Sequence, residues 1–398
     1  MGFMGAMARF LVAATLARAA DGGASVGLVL LAFERLTSNQ AALGGLLAAG
    51  LAAPHALGPW AARLLDKARD GRAFLAVAFL CYGLALATAA LTVEIVPLAL
   101  VATITAGACG PLLLGGLSSR VAGIAGPADK QQRRGEGWDA VSYGLAGTFG
   151  PAAVAALAAL ASAQTAVLAL AGGTAVAAAV TFTLPRDDHH RSREATPVRE
   201  VLRLLVRHGP LRRVNVGTLT TSFSLGGMPV VAVLLADHLT GSAGAGAALV
   251  AAFGIGHLAG SLVVTAFPLR GEPEHLTTRH VALMGVAIAL TAASPNYGLA
   301  LAGFALIGIA NAPFVTATFA ARSTYAPPRA RAQVFVSMSS LKVAAGASGA
   351  ALTGLGTALG PRGLPVAAAI VVLLGATAMI VDRRATRDLS AKGTLPHL

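Results

Sequence analysis

Residues 140–185 read AVSYGLAGTFGPAAVAALAALASAQTAVLALAGGTAVAAAVTFTLP, a run without one charged side chain and more than twice as long as a membrane crossing requires. A helix rises about 1.5 Å per residue, so about 20 apolar residues cross about 30 Å of hydrocarbon. The run must therefore double back, and its polar break is Ser162-Ala163-Gln164. Residues 281–321 repeat the pattern, with Ser294-Pro295-Asn296 as the turn. Two helical hairpins of this length belong in lipid, where a segment must satisfy its own backbone hydrogen bonds.

Working outward, residues 73–93, 95–119, 214–236 and 363–381 also lack charge. The 398-residue chain is 56% hydrophobic and 12% charged, against about 25% charged in ordinary soluble domains. Its net charge of +13 does not indicate nucleic acid, because the bases punctuate apolar runs instead of gathering on one face with base-stacking residues. Cys81 and Cys109, the only two cysteines, both lie in apolar runs and form neither a disulfide framework nor a metal-ligand spacing. No phosphate-binding loop, dinucleotide fingerprint or nucleophile elbow is present. No cofactor, metal or enzymatic activity is expected.

The reading yields an all-α membrane protein of twelve spans: 10–33, 40–62, 73–93, 95–117, 138–161, 163–184, 212–236, 244–268, 278–294, 297–320, 332–358 and 363–382. The loops alternate in basic content. Arg63, Lys67, Arg69 and Arg72 follow the second span, Arg120, Lys130, Arg133 and Arg134 the fourth, and eight arginines surround the sixth-to-seventh connection. The opposite loops carry only Arg35 and Arg362. The excess of Lys and Arg on one side places both termini in the cytoplasm, and the Arg-, Ala- and Gly-rich composition suggests a bacterial cytoplasmic membrane. The expected organisation is a six-helix bundle at 1–184, a cytoplasmic linker at 185–211 with an interfacial helix formed by Val198, Val201, Leu202, Leu204 and Leu205, a second bundle at 212–382, and a tail at 383–398. The halves bear traces of a repeat: Ser142 to Ala153 aligns with Ser340 to Ala351, small residues matching small.

With two pseudo-symmetric six-helix bundles and a basic loop after the second span, the chain resembles the major facilitator superfamily over its whole length. The loop motif of that family, Gly-x-x-x-Asp-(Arg/Lys)-x-Gly-(Arg/Lys), is approached by Asp66-Lys67 and Gly71-Arg72, with Ala62 at the leading glycine and two extra residues inside. The resemblance implies a cytoplasmic gate at these four residues. Gly147 and Gly150-Pro151 in the fifth span resemble the antiporter motif of drug-efflux members, although Val154 and Ala155 replace its later glycines. The fourth span lacks the arginine of many proton-coupled members.

Ionisable residues inside a membrane are costly, about 2.5 to 3.5 kcal/mol at a helix centre, and by default functional. Arg18 and Asp21 lie three residues apart, on one face of the first span. They read either as a structural pair or as a proton carrier with a basic neighbour. Lys342 is near the cytoplasmic end of the eleventh span and His257 lies in the eighth. An intramembrane histidine can relay protons or simply bridge helices, and the bridging reading is favoured for His55. Asn311 and Asn215 bind a ligand or a neighbouring helix. The expectation is a monomeric secondary transporter in the lipid bilayer, exporting a small-molecule substrate against protons by alternating access. Uptake of an anionic metabolite, argued from Arg18 and Lys342, and a non-transporting receptor or scaffold remain the alternatives.

Overall fold

Hydropathy predicts helices throughout, and a computed structural model describes residues 3–38, 40–126, 128–186, 197–242 and 245–391. Of the expected linker, residues 187–196 lie outside the described residues, as do residues 392–398 of the tail. The chain divides into two units, one comprising residues up to Val198 together with Pro327–Ser340, the other Arg199–Ala326 and Leu341 onward.

In the first unit α1 (Phe3–Arg35) is followed by α2 (Gln40–Ala52), a 3-10 turn (Ala53–Leu57), α3 (Gly58–Lys67), α4 (Gly71–Leu91), α5 (Val96–Pro111), a π turn (Leu112–Gly116), α6 (Val121–Ala125), α7 (Asp129–Leu160) and α8 (Ala163–Phe182). The α7–α8 hairpin turns at the expected place: the Ser162 hydroxyl accepts the Thr165 N–H at 3.0 Å and caps α8. The core of the unit is α1, which packs against α7 and α8 through the buried Ala13, Ala17, Ala20 and Ala24. Lipid offers no hydrophobic drive for helix association, so close packing of small residues supplies it. A Cβ on Gly150 would stand 2.6 Å from the Ala19 carbonyl oxygen, and one on Gly23 2.9 Å from that of Gly150. A Cβ on Gly147, by contrast, would meet nothing within 4 Å.

In the second unit are α9 (Val198–Arg207), whose first residue belongs to the first unit, α10 (Gly209–Gly226), α11 (Met228–Thr240), α12 (Gly246–Ala266), α13 (Pro273–Ala292), α14 (Tyr297–Tyr325) and α16 (Gly360–Ala391); α15 (Arg331–Leu355) is shared between the units. Asn296 caps α14 by accepting the Leu299 N–H at 2.9 Å, so the second hairpin also turns as expected. A Cβ on Gly349 would stand 1.8 Å from the Phe223 carbonyl oxygen. Gly349 thus packs α15 on α10 as Gly150 packs α7 on α1, and it adjoins the position that the sequence alignment pairs with Gly150.

Nine described helices are long and apolar enough to cross a membrane, and α10 with α11, bent by 42° at their junction, makes a tenth. The second and ninth spans complete the twelve of this fold. The second departs from the continuous helix expected over 40–62, because Pro54 lacks an N–H and crowds the preceding turn. The fifth begins at Asp129 rather than 138: its charged first turns, with Arg133 and Glu136 paired at 3.8 Å, are helical although not apolar. Leu84, Val101, Leu290 and Leu374 stand exposed, as suits lipid-facing surfaces. Cys81 and Cys109 are free thiols.

Candidate functional site

The two ionisable residues of α1 face different partners. Arg18, 2% exposed, donates from Nη1 to Asp139 Oδ1 at 2.7 Å and to the Ser142 hydroxyl, and from Nη2 to the Leu114 carbonyl at 3.1 Å and the Ser118 hydroxyl at 2.9 Å. The Tyr143 ring lies 3.8 Å below the guanidinium carbon. The expected pairing with Asp21 is therefore corrected: a spacing of three fixes a helix face but not the direction of a long side chain, and Arg18 runs to α7 and the π turn. Asp139 is 1% exposed and lies well inside α7. The charge-free fourth span receives its cation from α1, at Leu114 and Ser118.

Asp21 instead faces the second span. His55 lies in the 3-10 turn that Pro54 creates, its Nε2 3.7 Å from Asp21 Oδ1, close enough for strong electrostatic contact but beyond a hydrogen bond. The fully buried Tyr82 of α4 sets its hydroxyl beside Asp21. Asp21 Oδ1, both His55 ring nitrogens and the Tyr82 hydroxyl have no hydrogen-bond partner of ordinary geometry. So many unsatisfied polar atoms at one point are rare in folded proteins and call for an explanation such as a proton, water or ligand. Gly110 makes the space: a Cβ there would stand 2.5 Å from His55 Nε2 and 3.3 Å from Asp21 Oδ1. His55, Tyr82 and Gly110 were not legible as members of this cluster, and the bridging role favoured for His55 is not what its ring does. The one available sequence signal was Pro54, a break next to a histidine. Among the described residues no group of three His, Cys, Asp or Glu side chains could hold a metal.

The remaining candidates lie apart in the second unit. Asn311 and His257 meet at 3.2 Å between Nδ2 and Nδ1, with Phe253 stacked on the imidazole. Lys342 is half-buried on α15. Asn215 donates to the Leu205 carbonyl at 2.8 Å and ties α9 to α10. Arg322, which fell outside the expected tenth span, is buried on the extended α14, its Nη2 3.4 Å from the Thr218 hydroxyl.

At the loop after α3, the acid that caps α4 is Asp70, one of the residues that lengthen the family motif. It accepts from the Arg72 and Ala73 N–H groups, and its carboxylate holds Arg72 at 2.8 Å and Arg186 at 3.3 Å. The Arg72 hydrogen bonds hold its carboxyl well below the usual carboxylate range, outweighing the opposite effect of burial, with help from the two backbone N–H groups. Arg9, Arg72 and Arg120 donate to the Thr183, Leu184 and Pro185 carbonyls, closing the C-terminal end of α8 with positive charge. The second unit carries its own network: Glu274 binds Arg213 at 2.7 Å and Arg383 at 2.6 Å, and Asp382 binds Arg212 at 2.6 Å. Burial pushes the Glu274 carboxyl up, but hydrogen bonds from Arg213 and Arg383 prevail and hold it below its ordinary value.

Long apolar spans with polar clusters buried among them define a multi-pass membrane protein. The chain belongs to the major facilitator superfamily, whose family model matches residues 2–271. Among solved structures it is similar to the human organic anion transporter MFSD10, with a TM-score of 0.76 at 16% identity over 94% of this chain and 99% of that one. It is also similar to the proton:xylose symporter XylE, at 0.71 and 14% over 95% and 96%, and to the transporter FucP in the outward conformation, at 0.70 and 14% over 93% and 97%. At these identities the likeness concerns the fold. No curated protein matches the chain.

Proposed function

We propose that this transporter couples export of a small organic molecule to protons, with Asp21 as the proton-binding carboxylate and His55 as its partner. The observation that carries the reading is the Asp21–His55 pair, two titratable groups 3.7 Å apart and short of hydrogen bonds. A carrier must alternate between charged and neutral forms, and a buried carboxylate beside an imidazole has both within reach. Arg18 does not compete for this role, because Asp139 already neutralises it. That neutralisation also weakens the case for uptake of an anionic metabolite, which needs Arg18 together with Lys342.

Export is favoured by Gly150-Pro151, which resembles the antiporter motif of efflux members, and an amphipathic, mostly apolar ligand suits the largely apolar spans. In this reading the protein is a monomer in a bacterial cytoplasmic membrane, both termini inside, with six-span halves at 1–184 and 212–382 working by alternating access. Asp66, Lys67, Gly71 and Arg72 form the cytoplasmic gate, now with Asp70 as its cap, and His257, Asn311 and Lys342 complete the pathway. The test is flux of a panel of amphipathic compounds in oriented proteoliposomes under an imposed pH gradient. Asp21→Asn should abolish the gradient-driven component and keep downhill exchange. A variant that still responds to the gradient as the wild type does would overturn the assignment.

A further inference from the structure

The helix α9 has ten residues, Val198–Arg207, and stands immediately before α10, with only His208 between them. Its roll is set by the protein. Val201 and Leu205 are buried, and the Leu205 carbonyl accepts the Asn215 amide at 2.8 Å. With that face fixed inward, two other stripes are left outside. Leu202 and Val206, one turn apart, are 39% and 65% exposed. Beside them Arg199, Arg203 and Arg207 form a row at successive turns, all exposed and with no ion-pair partner among the described residues. An apolar stripe next to an unpaired cationic row, on a helix joined directly to a membrane span, is ill suited to water and well suited to the boundary between acyl chains and headgroups.

We infer that α9 is an anionic-phospholipid docking surface, with Leu202 and Val206 inserted at the acyl boundary and Arg199, Arg203 and Arg207 on lipid phosphates. The guanidinium is a planar multi-donor group suited to phosphate oxygens, and its three-carbon stem reaches headgroup level from a helix lying in the interface. The occupant is a lipid leaflet rather than free phosphate because the apolar stripe and the basic row share one surface. This inference uses only the membrane location of the chain and is independent of the proton reading.

The test uses the full-length protein in phosphatidylcholine vesicles with and without phosphatidylglycerol. A spin label at Val206→Cys, in a Cys81→Ser/Cys109→Ser background, should be accessible to oxygen and protected from a water-soluble nickel chelate when phosphatidylglycerol is present. In the native-cysteine protein, Arg199→Gln, Arg203→Gln and Arg207→Gln should lower the phosphatidylglycerol retained on purification by roughly fivefold for each arginine removed, and added salt should act in the same direction. A label exposed to the chelate in both kinds of vesicle would overturn the inference and leave the face to a soluble partner. A triple variant that retains phosphatidylglycerol at the wild-type level would also overturn it, and that readout stands even if the cysteine-free background fails to fold.

Discussion

The Arg18 guanidinium donates to the Asp139 carboxylate at 2.7 Å, joining α1 to α7 where both side chains are almost fully buried. Such a pair gains little over apolar packing, yet breaking it on one side leaves a buried charge unpaired, at a cost of about 3–5 kcal/mol. Arg18→Ala or Asp139→Ala alone should therefore lower the thermal unfolding midpoint of the purified protein sharply. The double variant should recover much of the loss. Equal damage from single and double variants would show that the attraction itself, not the orphaned charge, dominates.

One turn along α1 from Arg18 lies Asp21, and removal of its neighbour His55 tests whether the cluster acts as a unit. His55→Gln keeps a polar side chain of similar reach but no titratable ring. It should reduce gradient-driven flux in proteoliposomes while substrate binding and the unfolding midpoint stay near wild type. A variant with unchanged coupled flux would leave Asp21 acting alone. Gly110→Ala should mimic His55→Gln in flux, because its Cβ would occupy the space in which the imidazole and carboxylate meet.

The glycines of α7 should separate cleanly. Gly150→Val places atoms against the Ala19 backbone, where even a Cβ would stand at 2.6 Å, and should force α1 and α7 apart. Gly147→Ala meets nothing within 4 Å and should be neutral or slightly stabilising through helix propensity. Thermal unfolding of the two variants in one detergent decides the matter, and equal effects would contradict the packing described.

Asp70 gives a pH-dependent prediction outside the membrane. Its folded carboxyl is held below the usual range, chiefly by Arg72. The stabilisation is therefore fully present above the unfolded value of about 3.9 and is lost only as pH falls through the folded value. Asp70→Ala should cost about 1 kcal/mol at neutral pH, as expected for a lost helix cap. Unfolding midpoints across pH should show the gap between wild type and variant closing only in acid below the ordinary carboxylate range.

The sequence by itself determined the solvent, the helix content and the turns. Hydropathy is summed over each segment, and Ser162 and Asn296 cap helices through contacts three residues away, so neither needs a distant partner. It also singled out Arg18 and Asp21, because a charge inside an apolar run is conspicuous wherever it points. Only the tertiary structure decided that Arg18 belongs to Asp139 and Asp21 to His55. Asp139 stood only one residue inside the expected span because α7 enters it through charged turns, and His55 read as a bridge between helices because its meaning depends on the Pro54 break and on the space left by Gly110. Likewise α9 was legible as an amphipathic helix, but which stripe stays outside was settled by the burial of Val201 and Leu205 and by the Asn215 hydrogen bond. Local chemistry is carried by neighbours in the chain, whereas the partner of a buried charge is chosen by whichever helix delivers donors at hydrogen-bond distance, and spacing along one helix does not specify that.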